Sequence, residues 1–160
     1  MHRTSLLLSC FLSLAASPGL WGVLPSPDGS GGVSAVEAPE SCDRCGMDRA
    51  RFARSRMLIL RKDGSRVGTC SLHCAAEVIG AAKKSPVRTL RVADQAHPLD
   101  LLEARSAVWV IGGDLPGVMT GTATWAFVRS EDAQAFIRRH GGRAADFDEA
   151  LRRVRQEGSR

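Results

Sequence analysis

The stretch RVGTCSLHCAAEVI, residues 66–79, predicts a strand that runs into a helix and carries a pair of cysteines at the junction. Ser71 suits the helix N-cap, because its hydroxyl oxygen can accept a hydrogen bond from a free backbone N–H of the first turn. The small and apolar residues up to Ile79 favour a helix, and Gly80 or a residue soon after it ends that helix before Pro86. The cysteines of this stretch are therefore expected close together at a helix start.

Working outward, the sequence predicts a strand on either side of this helix. Met57–Leu60 reads as an apolar strand, and a Lys62–Ser65 turn joins it to the strand Arg66–Cys70 as a hairpin. Val87–Val92 alternates like a further strand. The first half thus has the order strand, strand, helix, strand.

The second half of the chain predicts a similar order. Ala107–Ile111 and Thr124–Val128 read as strands, and a helix capped by Ser130 follows them. A short strand near Arg143–Phe147 and a last helix from Asp148 complete the pattern.

The two halves predict a duplicated unit. When Ser130 is placed on Ser71, Ala133 falls on Cys74 at the same offset. Any two strand-to-helix junctions that share a serine cap would show some such likeness, so chance agreement is the alternative. We expect an α+β protein of two related ββαβ units packed together, about residues 41–95 and 100–150, within a domain of residues 41–156.

The N-terminal segment predicts export. Residues 1–20 combine a short positive region, an apolar run and small residues, as in a signal peptide or an uncleaved membrane anchor. A weaker alternative is that the segment ending at Cys10 is a lipobox and that Cys10 is acylated. Residues 21–40 are rich in Pro, Gly and Ser and predict a flexible tether. The expected location is the periplasm, either free or anchored to the membrane and facing the periplasm.

The remaining cysteines form two close pairs and predict a covalent or metal link. They are Cys42 and Cys45 in a C-x-x-C motif, and Cys70 and Cys74 in a C-x-x-x-C motif. Met47 adds a thioether two residues after Cys45. Mixed thiolate and thioether ligands favour Cu(I), since Zn(II) rarely takes methionine and Mg or Ca prefers oxygen. The dipole at the helix start is expected to stabilise the second pair as thiolates.

Three alternatives to copper remain open from the residues alone. Four cysteines in an oxidising compartment often form two disulfides. Four thiolates also suit a structural Zn(II) site. A thiol–disulfide redox pair is disfavoured because Cys42 follows a flexible tether and not a strand.

Composition excludes several other functions. With 160 residues the chain is too short for a large multidomain enzyme. A net charge of +5 would permit acidic partners, but aromatic residues are only 5% and tyrosine is absent, which disfavours nucleic-acid binding. Motifs of hydrolytic or transfer enzymes are missing from the sequence. We therefore expect a binding protein and not an enzyme.

As a set, these residues resemble the NosL family, the nitrous oxide reductase accessory proteins. The resemblance covers most of the chain after the tether. It is carried by the following residues: Cys42, Cys45, Gly46, Met47, Asp63, Gly64, Cys70, Ser71, Met119, Ala126, Phe127, Ala133, Phe136, His140, Gly141, Gly142 and Phe147.

The resemblance implies two ββαβ units and an exported, often lipid-anchored protein. It further implies that the protein binds Cu(I) and delivers it to a copper-accepting client enzyme, nitrous oxide reductase. Cys45, Met47 and Met119 match the family's copper-ligand positions. From spacing alone, Met119 would be taken as a packed loop methionine.

One feature departs from the family. Cys70 and Cys74 resemble the TRASH pattern of metal-trafficking proteins, which joins a cysteine to a C-x-x-x-C at a helix start. This departure leaves open whether three sulfurs or more bind the ion, and whether the client is nitrous oxide reductase or another copper enzyme.

Overall fold

A computed structural model describes residues 36–81 and 85–158 of the chain. The predicted leader, Cys10 and most of the predicted tether lie outside these residues. The described part is an α+β fold whose elements follow in this order: β1 (Met57–Arg61), β2 (Arg66–Thr69), α1 (Leu72–Ala81), β3 (Val87–Ala93), β4 (Leu101–Glu103), β5 (Val108–Ile111), β6 (Thr124–Phe127), α2 (Ser130–His140), β7 (Arg143–Ala145) and α3 (Phe147–Gly158). Within the described ranges, no helix has both the length and the apolar composition to cross a bilayer.

The first sheet has the strand order β2-β1-β3-β4, and its neighbouring strands are antiparallel. Met57 of β1 pairs with Thr69 of β2 on one side and with Val92 of β3 on the other. Consecutive residues from Met57 to Ile59 are buried, which is expected of a central strand that is covered on both faces.

The second sheet has the order β6-β5-β7 and is also antiparallel. Trp109 of β5 pairs with Ala126 of β6 and with Ala145 of β7. In both units the first strand lies between the second strand and the strand that follows the helix. The prediction of two related ββαβ units is confirmed by this shared topology.

One apolar core joins the two units. It contains Met57 and Leu72 of the first unit, Trp109 of the second, and Phe147 and Val154 of the last helix. The indole N–H of Trp109 donates to the Ala104 carbonyl at 2.9 Å, so this buried ring leaves no polar atom unsatisfied. The shared core therefore holds the two units together.

Two details differ from the sequence prediction. Strand β4 was not predicted, because its three residues are all half-buried and show no alternation of exposed and buried positions. Ser130 is the first residue of α2 and not its N-cap. Arg129 is at the N-cap without a side-chain cap, and the Ser130 hydroxyl instead donates to the Glu131 carboxylate at 3.3 Å.

The fold begins before residue 41, where the predicted tether ends. Glu37 accepts hydrogen bonds from the side chains of Arg49 and Arg56, both of which are almost completely buried. Arg49 also donates to the backbone carbonyl of Met57 at 3.0 Å and that of Thr69 at 3.3 Å. These contacts attach residues 36–40 to the first sheet.

Candidate metal centre

A closed loop, residues 42–47, presents the first pair of cysteines. The backbone N–H of Cys42 donates to the Met47 carbonyl at 2.8 Å, and Gly46 N–H donates to the Cys42 carbonyl at 2.8 Å. Gly46 has a φ of +77°, a backbone conformation that residues with a side chain rarely adopt. The glycine therefore allows the tight turn that brings Cys45 and Met47 to the same side of the loop. We refer to residues 42–47 as the motif loop.

The motif loop is docked on strand β2, directly before Cys70. Asp43 N–H donates to the Gly68 carbonyl at 2.8 Å, and the Asp43 carboxylate accepts from Gly68 N–H at 2.6 Å. A Cβ on Gly68 would lie 2.7 Å from Pro39 and 2.8 Å from Arg49, which is too close for any real side chain. Glycine at 68 thus permits the close approach that brings the two cysteine pairs together.

The second pair lies where β2 passes into α1. The Cys70 carbonyl accepts a hydrogen bond from the Ser55 hydroxyl at 2.8 Å, and Cys74 lies in the first turn of α1. This first turn contains no acidic residue. Its unpaired backbone N–H groups are therefore close to sulfur and not to a carboxylate of their own helix.

The four sulfur atoms form one cluster. The Sγ of Cys45 is 3.6 Å from that of Cys70 and 3.7 Å from that of Cys74, and the latter two are 3.7 Å apart. Cys42 Sγ is also within 4.8 Å of the other three. We refer to these four side chains as the thiol cluster.

The geometry of the thiol cluster fits one soft ion. A tetrahedral ion with metal–sulfur bonds of about 2.3 Å holds its sulfurs about 3.8 Å apart. The three measured distances of 3.6–3.7 Å are close to this value. They are also much longer than a disulfide bond of about 2.05 Å, and all four cysteines are free in the structure. The cluster is therefore in the reduced arrangement that ligands of a shared ion adopt.

Access to the thiol cluster is uneven. Cys42, Cys70 and Cys74 are 2%, 0% and 1% exposed, whereas Cys45 is exposed. Met47, Phe52 and Val118 pack around the buried thiols. A reacting group from outside therefore meets Cys45 before any other thiol.

The thiols of the cluster shift one another's pKa. The hydrogen-bond contact with Cys74 lowers the pKa of Cys70 to about 5, although burial opposes this effect. The same contact raises the pKa of Cys74, and burial raises it further. Burial also raises the pKa of Cys45. The lowered pKa favours the thiolate at Cys70, and the raised pKa favours the protonated thiol at Cys74, so a metal ion bound by Cys74 would displace its proton.

The two predicted methionine ligands differ in position. Met47 is half-buried and packs against the thiol cluster. Met119 is 46% exposed and follows Val118, which packs against the same cluster. Met119 has a φ of +65°, which is costly for a large side chain and is typical of functional sites. The structure thus places its loop beside the cluster and its side chain at the surface.

Sequence reasoning missed residues that support the site. Asp43 and Gly68 dock the motif loop, and Phe52 and Val118 cover the buried thiols. These contacts have no local sequence signal, since each joins residues that are distant in the chain.

The comparisons with known proteins agree with this site and fold. No curated protein matches the chain by sequence. A solved structure, the crystal structure of the copper chaperone NosL from Shewanella denitrificans, is similar in fold with a TM-score of 0.57. It is 24% identical over 72% of this chain and 92% of its own. The NosL family model matches residues 33–154, a range that includes both ββαβ units and the whole thiol cluster. The chain belongs to the NosL family.

Proposed function

We propose that this protein is an extracytoplasmic metallochaperone that binds Cu(I) at the thiol cluster and delivers it for the assembly of nitrous oxide reductase or a related copper enzyme. The observation that carries the proposal is a cluster of four free thiols of which only Cys45 is exposed. Such a site can hold an ion firmly and still offer it to a partner. Cu(I) is the cargo and not a cofactor of a reaction.

The donor set supports Cu(I) as the cargo. Thiolates and thioethers are soft ligands that suit Cu(I), and Met47 lies against the thiols. Cys45, Met47 and Met119 match the family's ligand positions. Cys42, Cys70 and Cys74 add thiols within reach of the same ion. We therefore expect sulfur-only coordination, with Cys45 at its outer side.

The uneven burial supports release by ligand exchange. A partner's thiolate, thioether or imidazole would bond to Cu(I) beside Cys45, and the Cu–Sγ bond of Cys45 would break first. The remaining bonds to Cys70 and Cys74 would follow as the partner supplies further ligands. No electrons are transferred, and protons return to the thiols as the ion leaves.

Zn(II) is the alternative cargo that the sulfur distances also support. The separations of 3.6–3.7 Å suit a tetrahedral four-thiolate zinc site equally well. A structural zinc site, however, is closed, and here one thiol is exposed. The motif loop is also held by backbone and Asp43 hydrogen bonds that do not involve its sulfur atoms. We therefore expect the metal-free chain to keep its fold.

Location and client rest on different support. The predicted leader at residues 1–20 supports export, and family membership supports nitrous oxide reductase as the client. The similar structure from Shewanella denitrificans is described as a copper chaperone. These arguments make a periplasmic protein, free or tethered to the membrane, the proposed form.

The direct test is metal transfer. The mature chain would be purified reduced and without air, loaded with one Cu(I), and mixed with copper-free nitrous oxide reductase while the copper spectrum of the enzyme is recorded. We expect transfer from the unaltered protein, and loss of copper uptake in a Cys45→Ser, Met47→Leu variant. Unchanged uptake by that variant would remove the assignment. Loss of fold on metal removal, with zinc restoring it, would favour the zinc alternative.

A further inference from the structure

We infer that a pocket beside the thiol cluster is the docking site for the copper acceptor, and that it takes an apolar side chain flanked by a carboxylate. This inference rests on the proposed function for the identity of the partner. We refer to the pocket as the Trp125 pocket. It has a volume of about 370 Å³, and its lining includes Arg51, Phe52, Arg54, Pro98, Val118 and Trp125.

The Trp125 pocket is continuous with the metal site. Phe52 and Val118 line the pocket, and the same two side chains pack against the buried thiols. Met119, the next residue after Val118, is 46% exposed. A group seated in the pocket is therefore separated from the thiol cluster by a single layer of side chains. A protein docked there would have its own metal ligands near the thiol cluster.

The floor of the pocket carries an unsatisfied donor. Trp125 is 7% exposed, and its indole N–H has no hydrogen-bond partner among the described residues. A buried N–H without an acceptor costs free energy, and such groups are rare in native proteins. An occupant that shifted the lining enough to bring an oxygen atom to this N–H would satisfy it.

The rim of the pocket is positively charged. Arg51 and Arg54 are exposed, and neither pairs with a carboxylate in the part of the chain that the structure describes. Arg54 donates only to the backbone carbonyl of Gln95, at 2.6 Å. Apolar walls and two guanidinium groups without a carboxylate partner together select an apolar side chain beside a carboxylate.

The first test uses a metal-free probe and nuclear magnetic resonance. The reduced, metal-free protein would be titrated with acetyl-Glu-Leu-Glu-amide while the indole N–H signals are followed. We expect the Trp125 signal to shift in a saturable manner. Trp109 is the internal control, because its N–H already donates to the Ala104 carbonyl. The same peptide with glutamine in place of glutamate should bind roughly tenfold more weakly. Equal binding of both peptides, or no shift of Trp125, would overturn the inference.

Charge reversal on the rim supplies the second test. We expect Arg51→Glu, Arg54→Glu to weaken the glutamate peptide roughly tenfold or more. The matched control is Arg88→Glu, Arg91→Glu, which changes the net charge equally at two exposed positions of β3 that do not line the pocket. Equal weakening by both double variants would mean that only net charge matters, and would contradict a docking site.

Transfer kinetics connect the pocket to delivery. We expect the Arg51→Glu, Arg54→Glu protein to bind one Cu(I) as tightly as the unaltered protein but to transfer it to copper-free nitrous oxide reductase roughly tenfold more slowly. Unchanged transfer would overturn the inference. Failure of the unaltered protein to take up copper would instead count against the proposed function. In that case the metal-free peptide titration would still show whether the Trp125 pocket binds an apolar side chain beside a carboxylate. Concentration-dependent dimers that are lost in this variant would assign the pocket to a second copy of the chain and overturn the inference.

Discussion

The two ββαβ units share one topology and differ in what occupies the junction between second strand and helix. In the first unit, residues 57–93, Cys70 and Cys74 occupy this junction. In the second unit, residues 108–145, Val128 and Asp132 are at the equivalent positions, because Arg129 precedes the first residue of α2 as Ser71 precedes that of α1. The placement of Ser130 on Ser71 was therefore wrong by one residue. The same backbone path therefore carries a metal site in one unit and none in the other. Side chains at the helix start, and not the fold, decide the difference.

The charges at the starts of α1 and α2 explain why these two helix starts differ. Helix α2 has Glu131 and Asp132 in its first turn, where carboxylates balance the positive end of the helix dipole. Asp132 also pairs with Arg129 at 3.1 Å. Helix α1 has no acidic residue in its first turn. Its positive end therefore favours negative charge on a cysteine sulfur, the form that binds a metal ion.

The packing around the two helices differs in the same way. In the second unit the rings of Phe127 and Phe136 pack at 5.2 Å, and Trp125 adds a further aromatic contact. In the first unit, Cys42 of the motif loop packs with Cys70 and Cys74 at the helix start. We infer that the second unit, apart from the loop that carries Met119, is mainly a scaffold, and the following predictions test this division.

The largest expected effect comes from removing a buried thiol. Cys70→Ser should lower the Cu(I) affinity by about 1000-fold or more, or ~4 kcal/mol, because serine is a poor ligand for a soft ion. The matched control is Ala133→Ser, which puts the same side chain at a buried position in the first turn of α2. Competition with a Cu(I) chelator measures both. Similar affinities for the two variants would contradict the division between the units.

The next largest effect should be on stability alone. Phe136→Ala removes a buried ring of the second unit and should lower the free energy of unfolding by about 3 kcal/mol or more. Copper stoichiometry should stay at one ion per chain below the melting temperature. Denaturant unfolding and copper titration of the same sample measure the two quantities. Loss of copper binding in folded protein would mean that the second unit contributes to the site.

A change where the motif loop contacts β2 should lower both the free energy of unfolding and the copper affinity. Gly68→Ala should cost about 2 kcal/mol, because a Cβ would overlap Pro39 and Arg49. Copper should bind more weakly, since the motif loop would lose its contact with β2. The exposed Gly80→Ala, where no atom lies within 4 Å of the added Cβ, is the control and should leave the copper affinity unchanged. If Gly68→Ala retains full affinity, the motif loop does not need this contact.

Substitution of Met119 should change stability and copper affinity in opposite directions. Met119→Gly should stabilise the metal-free fold by about 1 kcal/mol, because glycine adopts a φ of +65° without strain. The same change removes a thioether and should weaken copper binding. Met57→Leu, which changes a buried methionine of β1, should leave copper binding intact. Unaltered copper affinity in Met119→Gly would exclude Met119 as a ligand.

The smallest expected effect is on the pH dependence of stability. Burial alone would raise the pKa of the Glu37 carboxyl, but hydrogen bonds and charge from Arg56, with charge from Arg49, hold it below the ordinary value of 4.5. The folded state thus favours the carboxylate. Its contribution to stability is complete above pH 4.5 and is lost as the pH falls through the lower, folded pKa. Glu37→Gln should flatten this part of the curve in thermal melts from pH 6 to 3, and an unchanged slope would contradict the assignment.

Local patterns were sufficient for most of the fold. Apolar runs and turns predicted β1 and β2, and the spacing around Ser71 predicted α1. The repeated order followed from the same signals in the second half. The short strand β4 had no such signal, because its residues are all half-buried.

The site was only partly predictable for a physical reason. Cysteine spacing predicted which thiols meet, since two close pairs on one hairpin have few ways to converge. Burial depends on contacts across the chain, so the exposed position of Cys45 had no sequence signal, and the helix start alone did not predict that the pKa of Cys74 is raised while that of Cys70 is lowered. The role of Glu37 was hidden in the same way. It lies in a Pro- and Gly-rich stretch, and its partners Arg49 and Arg56 are reached only in the folded protein.

X-ray absorption at the copper edge tests most directly the claim that the thiol cluster holds Cu(I) through sulfur. The reduced protein loaded with one equivalent of copper should give a Cu(I) edge and a nearest shell of at least three sulfurs without nitrogen or oxygen. The Ala133→Ser protein should give the same spectrum, and the Cys70→Ser protein should lose a sulfur. A shell dominated by nitrogen or oxygen, or a spectrum unchanged by Cys70→Ser, would contradict the account.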